Sequence, residues 1–395
     1  MKNVLPILLA IALCSCSSDS DNGLTPVDTN DPNQAFDFSQ YFTANFDVLP
    51  NYANQDIPNY ITRDNTGNNG ISDEGAMLGR VLFYDTNLSV NNSVSCASCH
   101  RQELAFSDDD QASLGVNGVT GRHSMRLVNA RFSDEARFFW DERANTLEIQ
   151  TTMPIQDHVE MGFSGENGDL DFNDLIERLE TIDYYPELFN RAFGNETITE
   201  ALIQDALAQF IRSIQSFDSR YDEGRENANN DGQPFTNFTD QENLGKQLFL
   251  QPPVFNNMGV RIAGGIGCAG CHQAPEFSID PNSLNNGVIG SIDNSGADLD
   301  VTRSPTLRDV VKADGSNNGP FMHLGASNTL TAVLNHYNNI NVAGNTNLDP
   351  RLRPNGVGQQ LNLTDQERAA VIAFLRTLAG NDIYSNEKWS NPFID

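Results

Sequence analysis

Apolar residues recur at helical spacing in several segments of the chain. Between Ala201 and Phe217 the apolar positions fall on one stripe of a helix. Thr364-Asp365-Gln366-Glu367 matches a capping box, which places a helix start there. The apolar face of that second helix comprises Val371, Phe374, Leu375 and Leu378. We therefore predict helices in both segments, with Gly380 ending the second.

Two further helix patterns share a sequence motif. One begins at Ser72 as SDEGAMLGRVLFY and the other at Thr239 as TDQENLGKQLFL. Each opens with an N-cap residue and acidic residues, and each continues with Leu-Gly-basic-x-Leu-Phe. The chain therefore contains an internal repeat. Residues 227–232 and 282–296 are rich in Asn, Gly and Asp, so we predict a mainly α fold with long loops.

Each repeat leads into a C-x-x-C-H pentapeptide, CASCH at 96–100 and CAGCH at 268–272. This is the attachment signature of c-type haem, in which two thiols bond the haem and the histidine ligates its iron. A zinc site would need further ligands at familiar spacing, and a thioredoxin-type pair requires neither the histidine nor the duplication. We predict two cytochrome-c-like domains with two covalent haems. Their attachment residues and iron ligands are Cys96, Cys99, His100, Cys268, Cys271 and His272.

The N-terminus has the pattern of an export signal. A short apolar run follows Lys2, and it is too short for a membrane span but suits a signal peptide. Cys16 follows a small serine and is the predicted lipidated residue of a lipoprotein; ordinary secretion is the alternative. We expect a periplasmic or cell-envelope protein held to the membrane by that lipid. The predicted segments are a signal peptide at 1–16, a flexible tether at 17–45, haem domains at 46–220 and 221–380, and a tail at 381–395.

The charge balance limits the partners. The chain has 24 basic and 53 acidic residues, which gives a formal net charge of −29. Such a charge argues against binding nucleic acid or anionic membrane surfaces. It suits a basic electron-donor protein, although solubility alone accounts for it equally well. The pattern leaves open whether the chain forms a homodimer.

Residues 137–161 place three groups suited to peroxide chemistry in one segment. Glu160 would move a proton between the two peroxide oxygens if partial burial raises its pKa. Gln150 would orient the peroxide, and Trp140 would relay an electron between the haems. Taken one at a time, a Trp is more often a core residue and a Glu a solvated surface residue.

These motifs, together with RSPTLRDV and GPFMHLG downstream, resemble the bacterial diheme cytochrome c peroxidases. That family includes the diheme enzyme that matures methylamine dehydrogenase, and the resemblance runs from about residue 70 to residue 380. It implies that the first haem is the peroxidatic site and that the second passes electrons inward. It also implies that Trp140 lies between the haems and that Gln150 and Glu160 line the distal pocket. Hydrogen peroxide and a small c-type cytochrome are the implied substrate and electron donor.

One departure from the typical family pattern concerns the first haem. Val116 stands where typical members carry a histidine that ligates the resting haem, and valine cannot ligate iron. We therefore expect a five-coordinate first haem, with His123 as the rival ligand. His123 also falls where the family has an asparagine that helps bind an interdomain calcium. Asn318 and Pro320 match the positions that supply backbone carbonyls to that ion, but a histidine does not suit calcium.

The second departure concerns the second haem. Tyr337 stands where typical peroxidases supply a methionine ligand, and the maturation enzyme has a tyrosine there. A phenolate favours ferric iron, so it would lower the potential of that haem. His336 and Met322 are the alternatives. Neighbours on one helix point about 100° apart, so His336 and Tyr337 cannot both face the iron.

The sequence thus predicts an exported diheme cytochrome c peroxidase, an oxidoreductase that reduces hydrogen peroxide to water. One alternative keeps the enzyme but makes a partner protein its substrate, oxidised through high-valent haem. Tyr337 favours that alternative. The other is a non-catalytic diheme electron-transfer lipoprotein.

Overall fold

The structure, a computed structural model, describes residues 35–134, 137–279, 281–293 and 295–394. Contacts divide the chain into Met1–Asp37 and one compact unit, Phe38–Asp395. The helices of that unit are α1 (Asp73–Tyr84), α2 (Cys96–Cys99), α3 (Leu147–Thr152), α4 (Phe172–Glu180), α5 (Tyr184–Phe193), α6 (Glu200–Ser213), α7 (Arg220–Glu226), α8 (Asp240–Leu250), α9 (Leu330–Asn338) and α10 (Asp365–Arg376).

The strands are short and form antiparallel pairs. They are β1 (Leu114–Gly115) with β2 (Gly118–Val119), β3 (Pro253–Phe255) with β4 (Arg261–Gly264), and β5 (His272–Gln273) with β6 (Ser278–Ile279). Long irregular segments connect these elements. The predicted mainly α fold with long loops is confirmed.

The helix starts follow the capping residues in the sequence. Ser72 accepts the backbone N–H of Gly75 at the start of α1. Thr239 and Thr364 each form a complete capping box at the start of α8 and α10. A cap of this kind satisfies N–H groups that have no partner within the helix, so it fixes where the helix begins.

The helix ends were predicted less well. α6 ends at Ser213, so Phe217 lies beyond it, and α10 ends at Arg376 rather than at Gly380. The Gly380 N–H donates to the buried carboxylate of Asp309 over 2.8 Å. Gly380 therefore forms a tertiary contact and does not cap the helix.

The internal repeat is a repeat of packing as well as of sequence. α1 crosses α6, and α8 crosses α10, each pair meeting at a glycine. A Cβ atom at Gly79 would lie 2.0 Å from the carbonyl oxygen of Ala206. A Cβ atom at Gly245 would lie 1.9 Å from the carbonyl oxygen of Ala370. The glycine of the Leu-Gly-basic motif thus allows the two helices of each half to touch backbone to backbone.

The aromatic cores of the two halves correspond too. The rings of Phe83 and Phe210 lie 5.1 Å apart in the first half, and those of Phe249 and Phe374 lie 5.3 Å apart in the second. All four side chains are buried. Each half therefore has one helix pair and one aromatic core behind its C-x-x-C-H motif.

The predicted tether extends too far along the chain. Phe38, Phe42 and Phe46 are buried, and their rings pack on one another. Phe42 also contacts Phe393 near the other end of the chain, with ring centroids 5.0 Å apart. The segment 38–45 is therefore held against the body of the protein, because Phe38 packs on Phe46 and Phe42 packs on Phe46 and Phe393.

Residues 381–394 of the predicted tail are likewise packed against the body of the protein. Trp389 is fully buried, and its indole N–H donates to the hydroxyl of Ser213 over 3.3 Å. The signal peptide and Cys16, in contrast, lie outside the described residues. No helix in the described part of the chain has the length and apolar character needed to cross a bilayer.

Candidate haem sites

The first C-x-x-C-H motif forms a one-turn helix, α2, followed by His100. Nδ1 of His100 lies 3.3 Å from the carbonyl oxygen of Phe106, so the backbone holds the proton on this nitrogen. Nε2 is then the nitrogen left to ligate a metal. Burial lowers the pKa of His100 to about 4, which keeps the imidazole neutral, as iron ligation requires.

A cavity of about 580 Å³ opens beside His100. This volume falls within the range of about 300–1,000 Å³ that is typical of cofactor and ligand sites. Trp140, Gln150 and Glu160 all line it, as do the apolar side chains of Phe138, Phe139 and Leu147. The cavity therefore brings together the residues that the sequence predicted for the first site, and it offers a haem both an iron ligand and apolar walls.

Glu160 is partly buried in this cavity. Burial raises its pKa to about 7, and the nearby charge of Asp157 raises it further while Arg143 opposes them. The backbone of Glu160 is fixed, because its carbonyl oxygen accepts the N–H of Val116 over 3.0 Å. A carboxyl group with a pKa near 7 can both accept and donate a proton at neutral pH.

Arg143 and Gln150 border the same space. The guanidinium of Arg143 lies over the ring of Phe139, 3.6 Å from its centroid, and donates to Asp141 over 2.9 Å. Gln150 lies on α3, whose N-cap is Thr146. Nothing in the sequence indicated that Arg143 would lower the pKa of Glu160.

Val116 and His123 are both near Glu160: the backbone of Val116 bonds to that of Glu160, and His123 lines the same cavity. A γ-methyl of Val116 packs at Gly162, and Val116 does not line the cavity. Nδ1 of His123 lies 2.9 Å from the carbonyl oxygen of Asp110, and its ring is an electrostatic neighbour of His100. His123 therefore stays the rival ligand of the first haem, and the five-coordinate first haem stays a prediction.

The second motif repeats the arrangement of the first. Nδ1 of His272 lies 3.3 Å from the carbonyl oxygen of Phe277 and 3.1 Å from that of Pro305. Burial lowers the pKa of His272 to about 4. Two adjoining cavities of about 530 and 140 Å³ are lined by Cys268 and His272. No disulfide joins the motif cysteines in the described part of the chain, so the second site also fits a covalent haem.

Tyr337 lines both of these cavities, from the last turn of α9. Burial raises the pKa of its phenol, and the nearby thiols of Cys271 and Cys268 raise it further. Nε2 of His336 instead lies 2.9 Å from the carbonyl oxygen of Asn286, and His336 lines neither cavity. Met322 lines the smaller cavity, and its sulfur accepts an N–H from Asn286 at 3.9 Å. Of the three side chains, Tyr337 alone lines both cavities.

Trp140 lines the first cavity and also the smaller cavity of the second site. Its carbonyl oxygen accepts the N–H of Arg303 over 2.7 Å. The centroid of its ring is 6.2 Å from that of His323. An indole in this position adjoins both cavities.

Comparison with known proteins agrees with this arrangement. A family model described as di-haem cytochrome c peroxidase matches residues 73–230. The methylamine utilization protein MauG of Methylorubrum extorquens is 30% identical over 324 residues, which cover 78% of this chain and 79% of that protein. The chain belongs to the di-haem cytochrome c peroxidase family. The prediction of the family is therefore confirmed.

Other relatives extend the likeness. The cytochrome c551 peroxidase of Nitrosomonas europaea is 27% identical over 321 residues, covering 78% of this chain and 80% of that one. A MauG-like protein associated with microbial copper homeostasis, known from a crystal structure, is 27% identical to this chain and superposes with a TM-score of 0.64. The match covers 86% of this chain and 99% of that protein. Two haem c groups are a property of this family, so the chain carries two.

The position predicted for the family's calcium does not fit that ion in this chain. The carbonyl oxygen of Asn318 accepts an N–H from the guanidinium of Arg126 over 2.6 Å. The amide of Asn318 donates to the carbonyl oxygens of Leu104 and Asp309. The side chain at 123 is an imidazole bonded to a backbone carbonyl and offers no oxygen. The carbonyl oxygen of Asn318, which would bind calcium, is thus already hydrogen-bonded to the cationic side chain of Arg126.

No motif or periodic pattern in the sequence pointed to Arg126. A comparison of the two halves would have drawn attention to it. Ser124-Met125-Arg126-Leu127 aligns with Ser304-Pro305-Thr306-Leu307, so Arg126 stands where the second half has Thr306. In the second half the hydroxyl of Thr306 bonds to the carbonyl oxygen of Glu276 over 2.9 Å. In the first half the longer Arg126 side chain reaches the other half of the protein.

Proposed function

We propose that this protein reduces hydrogen peroxide to water with electrons from a small redox protein such as a c-type cytochrome. One peroxide, two protons and two electrons give two waters. The observation that carries the proposal is the position of Glu160, a carboxyl group with a pKa of about 7 in the cavity beside His100. A cavity for electron transfer alone would have no need of such an acid.

Glu160 would act on protons. In its ionised form the carboxylate would accept a proton from one peroxide oxygen and would then deliver that proton to the other oxygen, which leaves as water. Gln150 lines the same cavity, and its amide would orient the peroxide by hydrogen bonding. When bound, the first haem supplies the iron on which peroxide is reduced, and His100 is its proximal ligand.

The second site would deliver electrons. Cys268, Cys271 and His272 would hold the second haem, with Tyr337 as the other ligand. Trp140 would carry electrons between the sites, since it adjoins both cavities. The net charge of −29 favours a basic donor protein.

A second candidate function is the oxidation of a partner protein, and Tyr337 favours it. A phenolate is a hard anionic ligand that stabilises oxidised iron, so it would help to hold oxidising equivalents in the protein. The relatives named MauG belong to the same family as the peroxidases. Sustained oxidation of a cytochrome is expected if the protein reduces peroxide and is not expected if it oxidises a partner protein, so this measurement distinguishes the two functions.

We also propose that the chain is exported to the periplasm or cell envelope and lipidated on Cys16. We place its first haem domain at 46–220, preceded by the packed residues 38–45, and its second at 221–380. Labelling with a radioactive fatty acid tests the anchor, with Cys16→Ser as the unlabelled control. Size-exclusion chromatography with light scattering tests whether the chain forms a homodimer.

Spectroscopy of the ferric protein tests the peroxidase proposal. We expect a high-spin haem that reacts rapidly with peroxide, and steady oxidation of a reduced c-type cytochrome when peroxide is added. If both haems are low-spin and do not react with peroxide even after half-reduction, the peroxidase proposal fails and electron transfer is the remaining function. Peroxide consumption without cytochrome oxidation would instead favour a partner protein as substrate.

A further inference from the structure

Arg126 lies where the two haem sites meet. It lines the cavity beside His100 and also the smaller cavity beside His272. Its backbone follows Met125, whose carbonyl group interacts with the His100 ring. Its side chain extends to the carbonyl oxygen of Asn318, 2.6 Å away, in the other half of the chain.

The surroundings of Arg126 act on the pKa of its guanidinium in both directions. Desolvation lowers its pKa, while the nearby Asp309 and Tyr384 raise it. A guanidinium nevertheless stays protonated in proteins. Nε of Arg126 is buried and has no hydrogen-bond partner in the described part of the chain. His123 is a further titratable neighbour, and its pKa is lowered chiefly by burial and also by Arg126.

We propose that Arg126 is a built-in cation between the two haem sites, and that the protein binds no calcium there. The calcium expected from the family resemblance would use the carbonyl oxygen of Asn318, which already accepts from the guanidinium. A divalent cation at that oxygen would lie beside a fixed positive charge and would be repelled by it. His123 removes a further oxygen ligand.

A fixed cation beside both sites has an electrostatic consequence. Reduction adds an electron to each haem, and a nearby positive charge stabilises the reduced form. Arg126 would therefore raise the reduction potentials of both haems. A covalently attached charge cannot dissociate, so this contribution would persist when divalent ions are scarce. The inference does not depend on peroxide being the substrate.

Metal content and thermal stability provide the first test. The full-length protein with both haems is dialysed against EGTA or against calcium and then analysed by elemental mass spectrometry and calorimetry. We expect no retained calcium and the same melting temperature in both samples. One calcium ion per chain, or a lower melting temperature in EGTA, would overturn the proposal. Asn318 Oδ1, buried without a partner in the described residues, would be the first ligand to consider in that case.

Redox titration of variants provides the second test. Arg126→Gln removes the charge and should lower the potentials of both haems, whereas Arg126→Lys should keep them near the original values. Arg191→Gln removes one charge from an ion pair on α5 and serves as the control. Unchanged potentials in Arg126→Gln would show that the guanidinium is only structural. If Arg126→Gln does not fold, the potentials of Arg126→Lys in EGTA decide, since a retained positive charge predicts no loss.

Discussion

Trp140 donates its indole N–H to the backbone carbonyl oxygen of His123 over 2.7 Å. His123 in turn donates its backbone N–H to the carbonyl oxygen of His323 over 2.8 Å, across the boundary between the two halves. The orientation of the indole is therefore fixed by backbone groups. An aromatic ring held in this way keeps a constant distance to both sites.

Replacing Trp140 should slow peroxide turnover. Trp140→Phe removes the hydrogen bond and the most easily oxidised ring between the cavities, so we expect cytochrome oxidation to slow about tenfold, equal to about 1.4 kcal/mol in the barrier. Stopped-flow spectroscopy would check the rate. The chain's other tryptophan, Trp389, lines neither haem cavity. Trp389→Phe should leave the rate unchanged, and equal slowing in both variants would contradict a relay role.

Replacing Glu160 should remove proton transfer in the first cavity. Glu160→Gln keeps the size of the side chain, and we expect kcat/KM for peroxide to fall by about 10²–10⁴. In the unmodified protein the rate should rise as pH increases through about 7, because the ionised carboxylate is the form that accepts the first proton. A pH profile of kcat/KM checks both points. Glu166→Gln, at an exposed loop residue, is the control.

The same group should also make stability depend on pH. Burial raises the pKa of Glu160 from 4.5 to about 7, so the folded protein holds a proton that the unfolded chain releases. The free energy of unfolding should therefore decrease as pH rises from about 4.5 to about 7, and Glu160→Gln should lose this part of the dependence. Chemical denaturation at several pH values measures it. An identical slope in both proteins would mean that Glu160 is not buried when haem is bound.

Tyr337 should control the potential of the second haem. Replacing a phenolate by a neutral thioether stabilises ferrous iron, so Tyr337→Met should raise that potential by on the order of 100 mV, within the span of about 0.8 V that axial ligands cover. Spectroelectrochemistry checks the value. His336→Gln is the matched control, because His336 bonds to a backbone carbonyl outside the cavities. A shift in His336→Gln and none in Tyr337→Met would identify the histidine as the ligand.

Gly245 should tolerate no side chain. A Cβ atom there would lie 1.9 Å from the carbonyl oxygen of Ala370, so Gly245→Ala must push α8 and α10 apart. We expect a loss of about 1–3 kcal/mol in the free energy of unfolding, although alanine favours helix by about 1 kcal/mol. Calorimetry measures the change. Gly70→Ala adds its Cβ in open space and should be close to neutral.

The sequence predicted the elements whose cause is local. Ser72, Thr239 and Thr364 begin helices because each cap needs only its next three residues. The haem motifs are equally local, since five consecutive residues supply two thiols and a ligand. The cavity residues Trp140, Gln150 and Glu160 were found together because they lie in one segment.

The features that were missed depend on distant parts of the chain. The burial of Phe42 requires Phe393, which lies at the opposite end of the sequence. In the sequence, Gly380 resembles the glycine that ends a helix, and only the fold brings Asp309 to its N–H group. In the sequence, Arg126 resembles an ordinary surface residue, because its partner, the carbonyl oxygen of Asn318, is brought to it only by the fold. No periodic pattern encodes such contacts.

The two proximal histidines have matching environments. His100 and His272 each lie 3.3 Å from the carbonyl oxygen of a phenylalanine, and the pKa of each is lowered to about 4. Each half of the molecule is thus an internal reference for the other. Any difference in spin state or potential between the two haems can be assigned to the groups that the halves do not share, chiefly Glu160 in one and Tyr337 in the other.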